Sequence, residues 1–333
     1  MENHKPIAVL GAGSWGTALA LYLARLGQTV WLWTHEPTRV ATMNADRANN
    51  RYLPGYPFPE NLHVTHDLNE AVQNDYDILI AVPSAGFRDI LFALKPLLHS
   101  ATRIAWATKG LDPETGELLH DMLQETLGKD CISAILSGPS FAREVAAGLP
   151  TAVVVASNNL AFANDIMQRF NSPLFRVYRS KDMTGVEVGG VVKNVLAIAA
   201  GISDGMQLGA NARSALITRG LAEMTRLGQA AGGQYETFTG LAGLGDLVLT
   251  CTDDLSRNRR FGLALGRGKS INEAEREIGQ VIEGKRNAEL LVALAKKLNV
   301  EMPISETVWE ILQGNLTVQA AMQQLLSRSP KSE

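Results

Sequence analysis

The segment GAGSWG, residues 11–16, restricts the fold more than any other part of the chain. Gly11, Gly13 and Gly16 stand in the order G-x-G-x-x-G, directly after the apolar run IAVL and directly before TALALYLARL, which has helical length and periodicity. Strand, glycine turn and helix in that order make the first unit of a dinucleotide-binding sheet. The glycines let backbone N–H groups approach a pyrophosphate, and the helix N-terminus favours its negative charge. Gly27 is expected to end this helix. No G-K-[ST] follows these glycines, which argues against a P-loop.

The rest of the first half repeats the pattern. TVWLWT, YDILIAVPS, RIAWATKG and TAVVVAS are continuous apolar runs of the kind found in parallel strands covered on both faces, with helical segments between several of them. After Lys181 the β-branched runs fade and helical periods take over, as in Leu290, Leu291, Leu294, Ala295 and Leu298. Ser270 and Glu273 form a capping box, and Gly279 a C-terminal stop. The expectation is an α/β chain: an N-terminal Rossmann-type doubly wound sheet over residues 1–182 and an all-helical substrate domain over 183–333. At 333 residues each part is long enough to bury its own core.

A net charge of −3 offers no broad positive field, so nucleic acid and anionic membrane are poor partners and small ligands better ones. Cys131 and Cys251 stand far apart with no C-x-x-C pair, which fits a reducing cytoplasm and no disulfide scaffold. Strand-like sequence from Pro6 leaves no room for a signal peptide, and no apolar run is read as reaching the roughly 18 residues of a membrane span. His63 and His66 make H-x-x-H in a polar stretch without a third ligand, so a solvated loop is expected there and no metal.

The second strand should end beside the adenosine ribose, where NAD sites carry an acid that repels a 2′-phosphate. Here it ends in Thr34 and His35, with Glu36 next and Arg39 within a turn. NADP is therefore permitted and NAD is not excluded. His35 reads equally as an adenine or ribose contact and as a surface loop residue.

Hydride transfer to or from a nicotinamide needs a proton acceptor for the alcohol. All six histidines lie at or before His120, so the helical half offers none. It does offer Lys193, in GVVKNVLAIAAG, where a helix would set Gly189, Gly190, Leu196 and Ala197 beside the amine. Two readings stand: a lysine that reaches water along its stem, or a partly buried amine tuned for proton transfer. The second needs burial and a neighbouring cation, for which Lys109 after a strand is the candidate. It also needs an acid to hold the amine. GLAGLGDL places Asp246 after three spaced glycines, read as a tight turn aiming the carboxylate inward.

Four blocks, GAGSWGTALA, GPSFAREV, GVVKNVLAIAAGISDGMQLGANARSALITRG and GLAGLGDLVLTCTDDLSRNRRFG, give a specific resemblance over essentially the whole length. The chain resembles the bacterial NAD(P)-dependent glycerol-3-phosphate dehydrogenases. Val191, where relatives often carry alanine, is a small departure, and histidine at the end of the second strand is in keeping with the family. The resemblance implies that Lys193 is the proton acceptor when glycerol 3-phosphate is oxidised and the donor when dihydroxyacetone phosphate is reduced, with small neighbours leaving room for substrate. It implies that Asp246 contacts substrate and orients the lysine, and that Lys109, Gly138 and Ser140 bind substrate. Ser256, Arg257 and Asn258 would receive the phosphate, an arginine fork suiting paired oxygens. Cofactor contacts would come from Gly11, Gly13, Ser14, Trp15, Gly16, His35, Lys109, Ala142, Arg257, Val281 and Glu283, with NADP or NAD as cofactor. A cytoplasmic homodimer supplying glycerol 3-phosphate for phospholipid synthesis is also implied. Two rivals remain: a β-hydroxyacid dehydrogenase, for which the SRN block would be incidental, and a non-catalytic NAD(P)-sensing module, which has no use for Lys193, Asp246 and Arg257 together.

Overall fold

A computed structural model of the chain describes residues 5–73, 76–99 and 101–327. It divides into two compact units, Met1–Asp112 with Leu118–Glu187, and Pro113–Glu117 with Val188–Glu333.

The first unit is built on an eight-stranded sheet. Its strands are β1 (Ile7–Leu10), β2 (Val30–Trp33), β3 (Leu62–Thr65), β4 (Asp77–Ile80), β5 (Arg103–Trp106), β6 (Ile132–Ser137), β7 (Thr151–Ser157) and β8 (Phe175–Ser180). The order across the sheet is β3-β2-β1-β4-β5-β6-β7-β8. On β1, Val9 faces Leu32 of β2 on one side and Leu79 of β4 on the other, all in parallel register. The chain therefore leaves β1 in one direction and returns on its other side at β4, which makes the carboxyl end of β1 the switch point where such sheets bind ligands. The fully buried Ile7, Val9, Leu32, Leu79 and Ala105 form the core with Leu19, Leu21 and Leu23 of the helix Ser14–Arg25.

Three strands escape a reading by apolar runs. β6 (ISAILS) carries two serines, Ser133 and Ser137, both buried, and β8 (FRVYRS) alternates buried Phe175 and Val177 with exposed Arg176 and Tyr178. β3 contains His63, so that residue lies on a strand and not in the expected loop, its ring 5.0 Å from that of Trp31. The TAVVVAS run is not parallel on both sides either: β7 pairs antiparallel with β6, Leu136 facing Val155, and parallel with β8. Continuous apolarity reports burial of both faces and is blind to direction.

The second unit is helical. Its central helix, Met183–Gly205, is buried on nearly every side, as a helix apolar all round must be. It is also long and apolar enough to cross a membrane by length and composition, contrary to the reading that no run is; that apolar stretch is wholly buried inside the protein. Its last turns lie directly on the helix Arg257–Gly266: a Cβ on Gly201 would stand 2.1 Å from the Arg259 carbonyl oxygen, and one on Gly262 2.0 Å from that of Ile198. Ser270 and Glu273 do make the capping box of the helix Ile271–Ile278, and Gly279 ends it with φ +62°.

Candidate active site

In the first unit, GAGSWG closes the turn between β1 and the helix Ser14–Arg25. Each glycine has its own reason. Gly11 has φ +120° and lies against the backbone of Ala81, and a Cβ on Gly16 would stand 1.9 Å from the Gly11 carbonyl oxygen. Gly13, the N-cap of the helix, has nothing within 4 Å of where a Cβ would be. Its bareness is not needed by the fold, and it leaves the helix N-terminus approachable. No side chain caps that end, and the buried Trp15 Nε1 has no hydrogen-bond partner. An open cradle, uncapped amides and an orphan donor are what a dinucleotide phosphate would occupy, so these residues fit a bound NAD(P).

Ser14 Oγ donates to the Tyr52 carbonyl at 2.8 Å. His35 lies just beyond β2, exposed, 6.4 Å from the Trp33 ring. A second group gathers after β5 and β6. Lys109 Nζ donates to the Gly138 carbonyl at 3.1 Å, and Ser140 Oγ donates to the same oxygen at 3.0 Å. Gly138 has φ +137° with its Cα side pressed on Val153. Ala142 opens the short helix Ala142–Ala147 that follows.

In the second unit Lys193 is 7% exposed, and its amine does not reach for water. Nζ donates to Asp246 Oδ1 at 2.7 Å and to Thr250 Oγ1 at 2.9 Å. The snorkelling reading is thereby corrected, since the stem lies in a helix enclosed by its neighbours. Two local expectations change as well. Asp246 is not in a tight turn: Leu241–Gly245 forms one π-helical turn, and Asp246 begins the helix Asp246–Thr252. The wide turn rotates the carboxylate toward the lysine, an irregularity often met at functional positions. The room at Gly189 is filled not by open space but by this same turn, because a Cβ there would stand 2.6 Å from the Ala242 carbonyl oxygen. Gly189 lets the two backbones touch, and that contact brings Asp246 to Lys193.

Around SRN the side chains are knitted together. Ser256 Oγ caps the helix Arg257–Gly266 by accepting the Arg259 N–H at 3.2 Å. Asn258 donates to Asn194 Oδ1 at 2.8 Å and accepts the Gly284 N–H at 2.9 Å. Arg257 donates to Gln280 Oε1 at 3.3 Å; burial lowers its pKa, opposed by Glu283, the first residue of the helix Glu283–Lys297. Val281, just before it, is exposed. Thr250 and Asn194 were not singled out in the sequence. Thr250 stands one helical turn after Asp246, and Asn194 adjoins Lys193, the only signals available.

Comparison with known proteins matches both units. A family described as NAD-dependent glycerol-3-phosphate dehydrogenase N-terminus matches residues 6–163, and its C-terminus counterpart matches 182–323. A glycerol-3-phosphate dehydrogenase (NAD(P)+) of Coxiella burnetii is 57% identical over 334 residues, covering 100% of both chains. One of Vibrio vulnificus is 55% identical, covering 98% of this chain and 95% of its own. The crystal structure of a Coxiella burnetii glycerol-3-phosphate dehydrogenase superposes with a TM-score of 0.94 at 57% identity, covering 97% of this chain and 99% of that one.

Proposed function

The chain belongs to the NAD-dependent glycerol-3-phosphate dehydrogenase family, and we propose that it works through Lys193 as the group exchanging a proton with the substrate oxygen. The reaction is hydride transfer between NAD(P)H and dihydroxyacetone phosphate, giving glycerol 3-phosphate. Membership in this family sets aside the hydroxyacid and sensor readings. When bound, NAD(P)H supplies the hydride that joins the carbonyl carbon. The carbonyl oxygen then requires a proton, which the Lys193 ammonium gives; in the reverse direction the neutral amine takes it from the hydroxyl.

The observation that carries this reading is the buried contact of Lys193 with Asp246 and Thr250. Asp246 gives the amine a carboxylate partner at hydrogen-bond distance in a place closed to water. Thr250 fixes the direction of the amine. Arg257 is assigned the substrate phosphate, supported by its place in the first turn of a ten-residue helix, where amide dipoles add to its charge. Ser256 and Asn258 belong to the same turn, and Lys109, Gly138 and Ser140 are assigned to substrate on the strength of their common cluster. The glycine loop with Ser14 and Trp15 takes the pyrophosphate, His35 the adenosine, and Lys109, Ala142, Arg257, Val281 and Glu283 complete the cofactor contacts. A cytoplasmic homodimer serving phospholipid synthesis is part of the same reading, and light scattering checks the dimer. The reaction is tested by mixing the protein with dihydroxyacetone phosphate and NADPH or NADH and following nicotinamide absorbance. Oxidation that depends on dihydroxyacetone phosphate is expected, and none with either cofactor would end the reading.

A further inference from the structure

The turn after β2 holds a charge cluster that the proton-transfer chemistry does not use. Arg39 Nη1 lies 3.1 Å from Glu36 Oε1, and Arg51 Nη1 lies 3.7 Å from Glu36 Oε2. Arg39 also reaches the glycine loop, Nη2 donating to the Ala12 carbonyl at 2.5 Å. Both guanidiniums sit by the Tyr52 ring, at 4.5 Å for Arg39 and 5.2 Å for Arg51, and the Tyr52 carbonyl accepts the Ser14 hydroxyl. Residues from two separate stretches therefore converge on the dinucleotide loop, with two cations against one carboxylate.

Glu36 stands twenty residues beyond Gly16, the spacing at which an acid meets the adenosine ribose in sheets of this kind. Alone, a carboxylate there would repel a 2′-phosphate. Paired with two arginines it does not, because its field is cancelled and one positive charge is left over. Resting on the cofactor assignment above, we propose that Glu36, Arg39 and Arg51 are the residues that read the adenosine 2′ position. Arg39 and Arg51 hold the 2′-phosphate of NADP(H), and Glu36, their counter-ion when no phosphate is bound, accepts a hydrogen bond from the 2′-hydroxyl of NAD(H). A planar guanidinium offers paired N–H groups to a phosphate, while Tyr52 holds both forks in place. The arrangement makes the site tolerant of both cofactors: with NAD(H) the arginines keep Glu36 as their counter-ion, and with NADP(H) the 2′-phosphate takes up their charge.

The clean handle is Arg51, whose side chain is 66% exposed, against 13% for Arg39. Binding of adenosine 5′-monophosphate and adenosine 2′,5′-bisphosphate to the full-length protein is measured by calorimetry, and that of NADPH and NADH by fluorescence titration. Arg51→Ala is expected to weaken the bisphosphate and NADPH about fivefold, as for an exposed ion pair, with the monophosphate and NADH unchanged within about twofold. Arg51→Lys should recover part of the loss, and added salt should weaken the bisphosphate more than the monophosphate. Glu36→Gln should move the two cofactors in opposite directions, tightening NADPH and weakening NADH, each by a factor of about three. Equal changes for both members of each pair, or none for either, would overturn the assignment of these three residues while leaving the cofactor site standing. Failure of the unaltered protein to bind any of the four nucleotides would instead remove the cofactor site itself.

Discussion

Lys193 Nζ and Asp246 Oδ1 are 2.7 Å apart, and both side chains are almost completely enclosed, at 9% and 2% exposure. A buried pair of this kind is fragile to the loss of one partner, because the charge that remains loses its nearest counter-ion in a place closed to water. Asp246→Ala is accordingly expected to cost about 3–5 kcal/mol of stability in a urea titration, more than a typical surface change. Thr250→Val, which removes a neutral hydroxyl from the same amine, should cost only about 1–2 kcal/mol. Equal small losses for the two would mean that the ammonium finds another partner.

The glycine loop separates fold from function. Gly13→Ala has open space and an extended backbone, φ −77° and ψ −177°, so stability should stay within about 0.5 kcal/mol of the parent. NADPH affinity should nevertheless fall at least tenfold, since the methyl group would occupy the phosphate approach. Gly16→Ala has no such room and should lower the melting temperature as well. A Gly13→Ala protein that binds NADPH normally would show that the cofactor does not pass over this loop.

How far these residues could be read from the chain depends on how local their reasons are. The first βα unit was legible because strand, glycines and helix are contiguous. Lys193 stood out because a cation in an apolar helix is a contrast visible within one turn. Its partnership with Asp246, 53 residues away, was not derivable from spacing: it depends on the π-helical turn at Leu241–Gly245 and on Gly189 admitting the Ala242 carbonyl. β6 and β8 were missed for a different reason. Ser133 and Ser137, buried in β6, and the exposed Arg176 and Tyr178 of β8 break the apolar runs that mark a buried strand.

Glu223 gives the protein a pH signature away from Lys193. Burial pushes its carboxyl up to about 7, against hydrogen bonds from the Ile304 and Ser305 N–H groups and the Ser305 hydroxyl. An acid raised in the folded chain binds more protons folded than unfolded. Its contribution to stability is therefore complete below the ordinary value of 4.5 and is lost as pH rises through about 7. Across that window the loss is of the order of 3 kcal/mol. Glu223→Gln should remove this component, so the stability difference between parent and variant, followed by chemical denaturation from pH 5 to 8, should shift against the parent as pH rises. A difference independent of pH would mean that Glu223 stays ionised throughout.

The assignment of proton transfer to Lys193 is tested most directly by measuring single-turnover oxidation of NADPH by dihydroxyacetone phosphate in Lys193→Ala, with NADPH affinity measured on the same sample. The account predicts a fall in rate by a factor of about 10² to 10⁴, the range for loss of a general acid, with the NADPH dissociation constant unchanged within about twofold. A rate within a few-fold of the parent, in a protein that still binds NADPH, would contradict it and leave Lys193 a structural cation held by Asp246.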